Sequence, residues 1–349
     1  MRIPASRHRQ QGIAVLTAIL VVAIATVLAV NLLWGTSVDI QRTQSLLAQD
    51  QARLYDLGGE ELAKHYLSKD GQGSGAGPGA TDDYGEDWGT HIVSQFKDGA
   101  LEGWLIDQQG LFDLNSLVDA GTTKADPQAK EQFENLLVLA SVDLDVPVDP
   151  GTATELAEAT IDWLDPDALP ELGGAEDAHY TSLQPPYVPA NFWFTSISEL
   201  QAVRGFTPDL LRVLWPHVTA LPRQGKPPPG QTSARWPLNV NTATDLVLAS
   251  LVRGKTADDI KRACGETTKP ETGTNVCATK YASVTDFETD VTSAGFTLPP
   301  AISQGLGVSS QWFLLTVTTT IGSTRSTMYS LLQRDGTNVR ARIRTFDAN

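Results

Sequence analysis

The sequence has two cysteines, two methionines and five histidines in 349 residues, and it is poor in positive charge beyond its first twelve positions. Each scarcity excludes something. His8, His65, His91, His179 and His217 stand apart, with no H-E-x-x-H or H-x-H pair to hold a catalytic metal. Ser182, Ser196 and Ser198 lie outside any G-x-S-x-G setting, and no sugar-stacking platform of aromatics accompanies the carboxylates. Trp163 and Trp193 read as core or linker packing, so no enzymatic chemistry is expected. The formal charge of −15 repels nucleic acid and favours cations such as calcium.

A long apolar run is present. Residues 1–12 carry Arg2, Arg7 and Arg9 and no acid, so the remainder holds −18; Ile13 to Trp34 then gives 22 uncharged residues. As a helix this run is about 33 Å long, enough for a hydrocarbon layer of roughly 30 Å. It exceeds the apolar core of about 7–15 residues in a secretory signal, and no A-x-A follows it. Its β-branched residues do not argue for a strand, because only helices and closed barrels satisfy their backbone in lipid. The basic end is expected to stay cytoplasmic, which places everything after Trp34 beyond the inner membrane, in the periplasm. Disulfides persist there. Cys264 and Cys277, thirteen residues apart, read as one local bridge rather than two thiols. Such a bridge contributes about 3 kcal/mol through the loop it closes.

From Thr36 to Lys69 apolar residues continue at helical spacing, with charges between them, so a single helix of about 55 residues is expected. Gly58-Gly59 is a candidate kink, and the glycine-rich stretch after Asp70 is the expected end. Leu101–Asp107 and Leu111–Leu114 look like strands, as do Trp312–Ile321, Ser326–Arg334 and Val339–Thr345 near the C-terminus. Between them the period is helical over Glu131–Ser141, Thr154–Leu164, Ile197–Val203, Pro208–Leu214, Thr242–Leu251 and Thr256–Cys264. Proline-rich segments interrupt it at residues 185–189 and 222–230. Strands at both ends with a helical middle predict an α+β domain interrupted by an all-α insertion.

Several local patterns resemble one family. Gln10-Gln11-Gly12 before Ile13-Ala14-Val15-Leu16 resembles a type IV pilin-like leader. Asp87-Trp88-Gly89, Gly110 to Asn115, Asp162-Trp-Leu-Asp-Pro-Asp167, Gly173 to Asp177 with Tyr180, Pro185-Pro186-Tyr187, Ser198-Glu199-Leu200, Leu238 to Ala243 and Arg334-Asp335-Gly336 resemble, in order, the K-type minor pseudopilins of type II secretion systems. The resemblance implies cleavage by prepilin peptidase between Gly12 and Ile13, with N-methylation of Ile13. It implies a leader at 1–12, a membrane-spanning helix at 13–34 and its periplasmic continuation at 35–69. A pilin-like α/β domain then occupies 70–117 and 304–349, around SAM-like helical subdomains at 118–222 and 233–303 joined by a linker at 223–232. Most pilin-like proteins carry a glutamate at the fifth mature position, which here is Thr17. Without that carboxylate a subunit cannot pair with a neighbour's N-terminal ammonium, as suits a tip position. The implied partners are I-type and J-type minor pseudopilins, other pseudopilins and prepilin peptidase. A true type IV minor pilin shares the leader but not the other patterns. The alternative from another class is an uncleaved, membrane-anchored periplasmic protein with calcium-binding or hydrolytic activity.

Residues 162–177 gather Asp162, Asp165, Asp167, Glu171, Glu176 and Asp177 with no lysine or arginine. Prolines and glycines make this segment a loop, and a hard cation with six to eight oxygen ligands relieves such crowding. The spacing is not that of an EF-hand. The family resemblance implies calcium near this loop, one or two ions, with Asp165, Asp167, Glu176 and Asp177 as first choices for ligands and Asp162 and Glu171 after them. Leu238 to Leu251 resembles the start of a helix-hairpin-helix DNA-binding unit, but in an acidic chain the motif reads as a cap, with Asn241 or Thr242 starting a helix.

Overall fold

A computed structural model describes residues 11–71, 81–119, 124–223 and 235–347. Helix α1, Gln11–Asp70, runs unbroken through Gly58-Gly59. Gly59 is a contact point instead of a kink: a Cβ there would stand 3.0 Å from Val317 Cγ1. In the apolar half, hydroxyls are satisfied on the helix itself, Thr17 to the carbonyls of Ile13 and Ala14 (3.1 and 3.0 Å) and Thr26 to that of Val22 (2.8 Å). From Ala52 onward one stripe is buried at helical spacing: Ala52, Asp56, Glu60, Ala63 and Leu67.

That stripe lies on a five-stranded antiparallel sheet of β1 (Ile92–Phe96), β2 (Gly99–Asp107), β3 (Trp312–Ile321), β4 (Thr324–Asp335) and β5 (Asn338–Phe346), in that spatial order. Leu101, Leu105, Phe313, Leu315, Val317, Met328 and Leu332 alternate onto the helix side and form a core with Ala63, Leu67 and Trp88. Two buried carboxylates interrupt it. Asp56 accepts from Ser326 Oγ (2.6 Å), and Glu60 accepts from Ser330 Oγ (2.7 Å) and from Arg344 Nε and Nη2 (2.8 and 2.7 Å).

The insertion enters and leaves between hydrogen-bonded neighbours, since Asp107 at the end of β2 pairs with Phe313 at the start of β3. It has two cores. Phe112, Leu114 and Leu117 join helices α2 (Pro127–Ala140), α3 (Pro150–Leu164), α4 (Asp177–Tyr180) and α5 (Pro208–Leu214) around the first. The second joins α6 (Asp245–Ser250), α7 (Ala257–Cys264) and α8 (Val284–Ser293) through Val240, Leu248, Ile260, Phe287 and Phe296. The first core therefore begins before residue 118, and Val247 of α6 packs into it as well, so the two units share an element. Cys264 and Cys277 form a disulfide at the edge of the second core.

Helix α6 starts at Asp245, three residues later than the Thr242 that the sequence suggests. Thr244 caps it, accepting from Val247 N at 3.4 Å, while Thr242 and Asn241 are taken by long-range bonds. Thr242 Oγ1 donates to Asp107 (2.6 Å), and Asn241 exchanges bonds with the backbone of Tyr281 (3.0 and 2.8 Å). Asp107 also accepts from Ser310 Oγ, Gln109 N and Asn239 Nδ2, so one buried carboxylate ties the sheet to both ends of the insertion. Burial pushes Asp107 up to about 6 against these bonds.

Candidate functional site

Helix α3 ends at Leu164, and Asp165 opens the acidic loop, which closes again at α4. Of the six carboxylates singled out by sequence, the loop brings three together: Asp165, Asp167 and Glu176 each offer an oxygen, all within 4.8 Å of one another. Asp165 and Glu176 are buried and Asp167 is exposed, so the group sits at the surface with an open side. Oδ1 of Asp165 and both carboxylate oxygens of Glu176 are buried without a hydrogen-bond partner. No lysine or arginine makes an ion pair with the trio among the described residues. Burial first, then the neighbouring carboxylates, raises both Asp165 and Glu176 to about 7. Buried oxygens left bare and mutually repelling are costly unless a cation or protons compensate them. The donor set, all carboxylate oxygen, suits calcium in chemistry and charge.

The remaining acids do other work. Asp162, fully buried in the last turn of α3, reaches the backbone N–H of Glu171 (3.1 Å) and organises the loop. A Cβ on Gly174 would collide with the Asp162 carboxylate, which explains a glycine there. Glu158 accepts from Gly173 N (2.6 Å) and pairs with Lys130 (2.7 Å), tying the same turn to α2. Glu158 was not among the sequence candidates, because only the fold shows that its α3 face meets the turn. Glu171 and Asp177 are exposed and lie outside the trio. Beneath the loop, Trp163 meets Tyr180 edge-on (5.4 Å between ring centroids), which confirms Trp163 as packing. Trp193 is partly exposed, lying against Phe192 at a tilt of 33° with the Arg223 guanidinium over its ring.

A second acidic group, Asp70, Asp82 and Glu86, has comparable spacing. Arg334 fills its centre, bonded to both Asp70 and Asp82, so that group is a closed ion-pair network. At the other end of the molecule, Thr17 and Ile13 lie on the exposed apolar part of α1, whose span from Ile13 to Asp70 contains a segment long and apolar enough to cross a membrane. Residues 1–10 of the expected leader lie outside the described residues, and Gly12 is in helix.

A family model for type II secretion system protein K matches residues 110–223, the stretch that builds the first helical core. Over most of the chain the relatives are closer still in extent: protein K of Aeromonas hydrophila is 31% identical, covering 95% of this chain and 96% of that one. This chain belongs to the type II secretion system protein K family. Protein K of Pseudomonas aeruginosa is 31% identical over 94% of this chain and 90% of its own length, and that of Pectobacterium carotovorum 29% over 95% of each. In structure, the chain resembles one from a crystal structure described as the GspK-GspI-GspJ complex of enterotoxigenic Escherichia coli. The TM-score is 0.69 at 24% identity, covering 88% of this chain and all of the other, so the two share a fold over most of this chain.

Proposed function

We propose that this protein K is the tip subunit of a type II secretion pseudopilus, a non-enzymatic minor pseudopilin that initiates assembly and supports export of folded proteins across the outer membrane. The observation that carries this reading is the match to protein K relatives along about the whole chain, 95% for the Aeromonas hydrophila protein. Helix α1 anchors the chain once in the inner membrane, with residues 1–12 cytoplasmic and the sheet and insertion periplasmic. Prepilin peptidase removes residues 1–12, leaving Ile13 as the methylated N-terminus. Thr17 then stands where an assembly glutamate would be, its hydroxyl already bonded to Ile13 and Ala14, so it asks nothing of a subunit above. Partners of I-type and J-type are proposed because the structural relative comes from a complex with proteins of those letters.

Asp165, Asp167 and Glu176 are proposed to hold calcium, and Asp162 and Glu158 to keep the loop in the shape that gathers them. Bound calcium would supply the positive charge that lets the buried carboxylates stay ionised at neutral pH. The decisive experiment is the mass of the N-terminus from membranes with and without prepilin peptidase. Mature chains are expected to begin at methylated Ile13 only when the peptidase is present. An intact leader alongside active peptidase would leave the anchored, uncleaved calcium-binding protein as the better account.

A further inference from the structure

The chain is acidic as a whole, but its C-terminal strands are basic. Residues 304–349 carry Arg325, Arg334, Arg340, Arg342 and Arg344 against Asp335 and Asp347, a net +3 in a chain of −15. Two of these arginines are committed to the fold, Arg334 to Asp70 and Asp82 and Arg344 to Glu60. Arg340 and Arg342 are different. Both are exposed on β5, the edge strand of the sheet, and their partners are neutral amides. Arg342 Nε donates to Gln333 Oε1 at 2.7 Å, and the Asn338 amide oxygen accepts from Arg340 at 2.9 and 3.2 Å.

The position of Arg342 follows from the register. Leu331 pairs with Ile343 and Leu332 with Ala341, which leaves Arg342 as the extra residue of a bulge. The bulge changes which residues face α1: Val339 and Ala341 do so before it, Arg344 and Phe346 after it. Among the described residues no strand pairs with the outer side of the nine-residue β5, which leaves its outward backbone N–H and C=O groups available. The opposite edge, β1, is five residues long and has no charged side chain.

We propose that the free edge of β5 takes an extended acidic segment of another polypeptide as a sixth strand, with Arg340 and Arg342 pairing its carboxylates. Backbone bonds to the edge would hold the segment, and the two guanidiniums would select its sign of charge. Arginines and a bulge on an edge also discourage unwanted pairing. The two roles are compatible, since like charge repels a second copy of β5 while opposite charge is attracted.

The test uses the full-length protein in neutral detergent micelles and a short peptide alternating glutamate and valine. Affinity is read by fluorescence anisotropy and the seat of binding by amide hydrogen exchange. The peptide is expected to slow exchange in β5, and its affinity to fall at least about tenfold in R340E/R342E while R340K/R342K stays near the original. A peptide of the same charge, N-methylated at alternate residues, should lose at least about as much, because it cannot donate to the edge. R340Q/R342Q, with melting temperature measured alongside, separates loss of charge from loss of fold. The proposal is overturned if the N-methylated peptide binds equally well, if the glutamate pair leaves affinity unchanged, or if no binding appears below about 1 mM.

Discussion

At the scale of the residue, the acidic loop makes a prediction whose sign follows from its raised carboxyl groups. Asp165 and Glu176 go from ordinary values of 3.8 and 4.5 to about 7 in the fold, so without metal their ionisation opposes folding. The calcium-free protein should therefore lose stability as pH rises from the unfolded values through about 7. Added calcium should raise the melting temperature more at about pH 8 than at about pH 5.5, where protons compete for the same oxygens. At calcium a hundredfold above its Kd the gain should be about 2.7 kcal/mol. D165N/E176Q should abolish it, and a calcium-independent melting curve for the unaltered protein would refute the site. Composition and spacing identify the loop but not the grouping. Asp162 lies three residues before Asp165, yet the helix turns it inward to the backbone of Glu171, and nothing local in the sequence distinguishes the two roles.

At the scale of the element, α1 carries two predictions. Thr17→Glu puts an unpartnered carboxylate on an apolar helix, which a neighbour's ammonium can satisfy. The variant should be tolerated below other subunits, so gold labelling should find it away from filament ends; label confined to the ends would count against the reading. Farther along, burial alone would raise Glu60, but bonds from Arg344, Lys64 and Ser330 outweigh it and hold the carboxyl at about 2. Because that value lies below the ordinary 4.5, its stabilisation is complete above pH 4.5 and fades as pH falls toward 2. Glu60→Gln should cost roughly 1–3 kcal/mol at neutral pH, discounted for the partial exposure of Arg344, and should flatten acid unfolding over that interval. The helix and the C-terminal strands were legible because their periods are long and regular. β1 was not, since IVSQF is short and exposed in its middle. Nor were Asp56 and Glu60 as buried groups, because Ser326 and Ser330, which satisfy them, are each 270 residues away.

At the scale of the whole molecule, the helix-on-sheet core and the two insertion cores are built from largely separate residues, so damage to one should stay local. Replacing Cys264 and Cys277 by serine removes a cross-link confined to the second helical core. It should cost about 2–3 kcal/mol there, and hydrogen exchange should accelerate in α6 to α8 while β2 to β4 keep their protection. Uniform acceleration would mean the three cores unfold as one. The route by which the chain leaves the sheet has a mechanical consequence. A load travelling along α1 passes into β3 and β4 across their broad buried face. A pull on the insertion arrives at the paired ends of β2 and β3, where Asp107 opposes Phe313. That geometry opens strands like a zip, one rung at a time, instead of shearing many rungs together. Asp107, gripped by Thr242 and Ser310, and Arg334, gripped by Asp82 and the Ser310 carbonyl, sit at the first rung as its clasp.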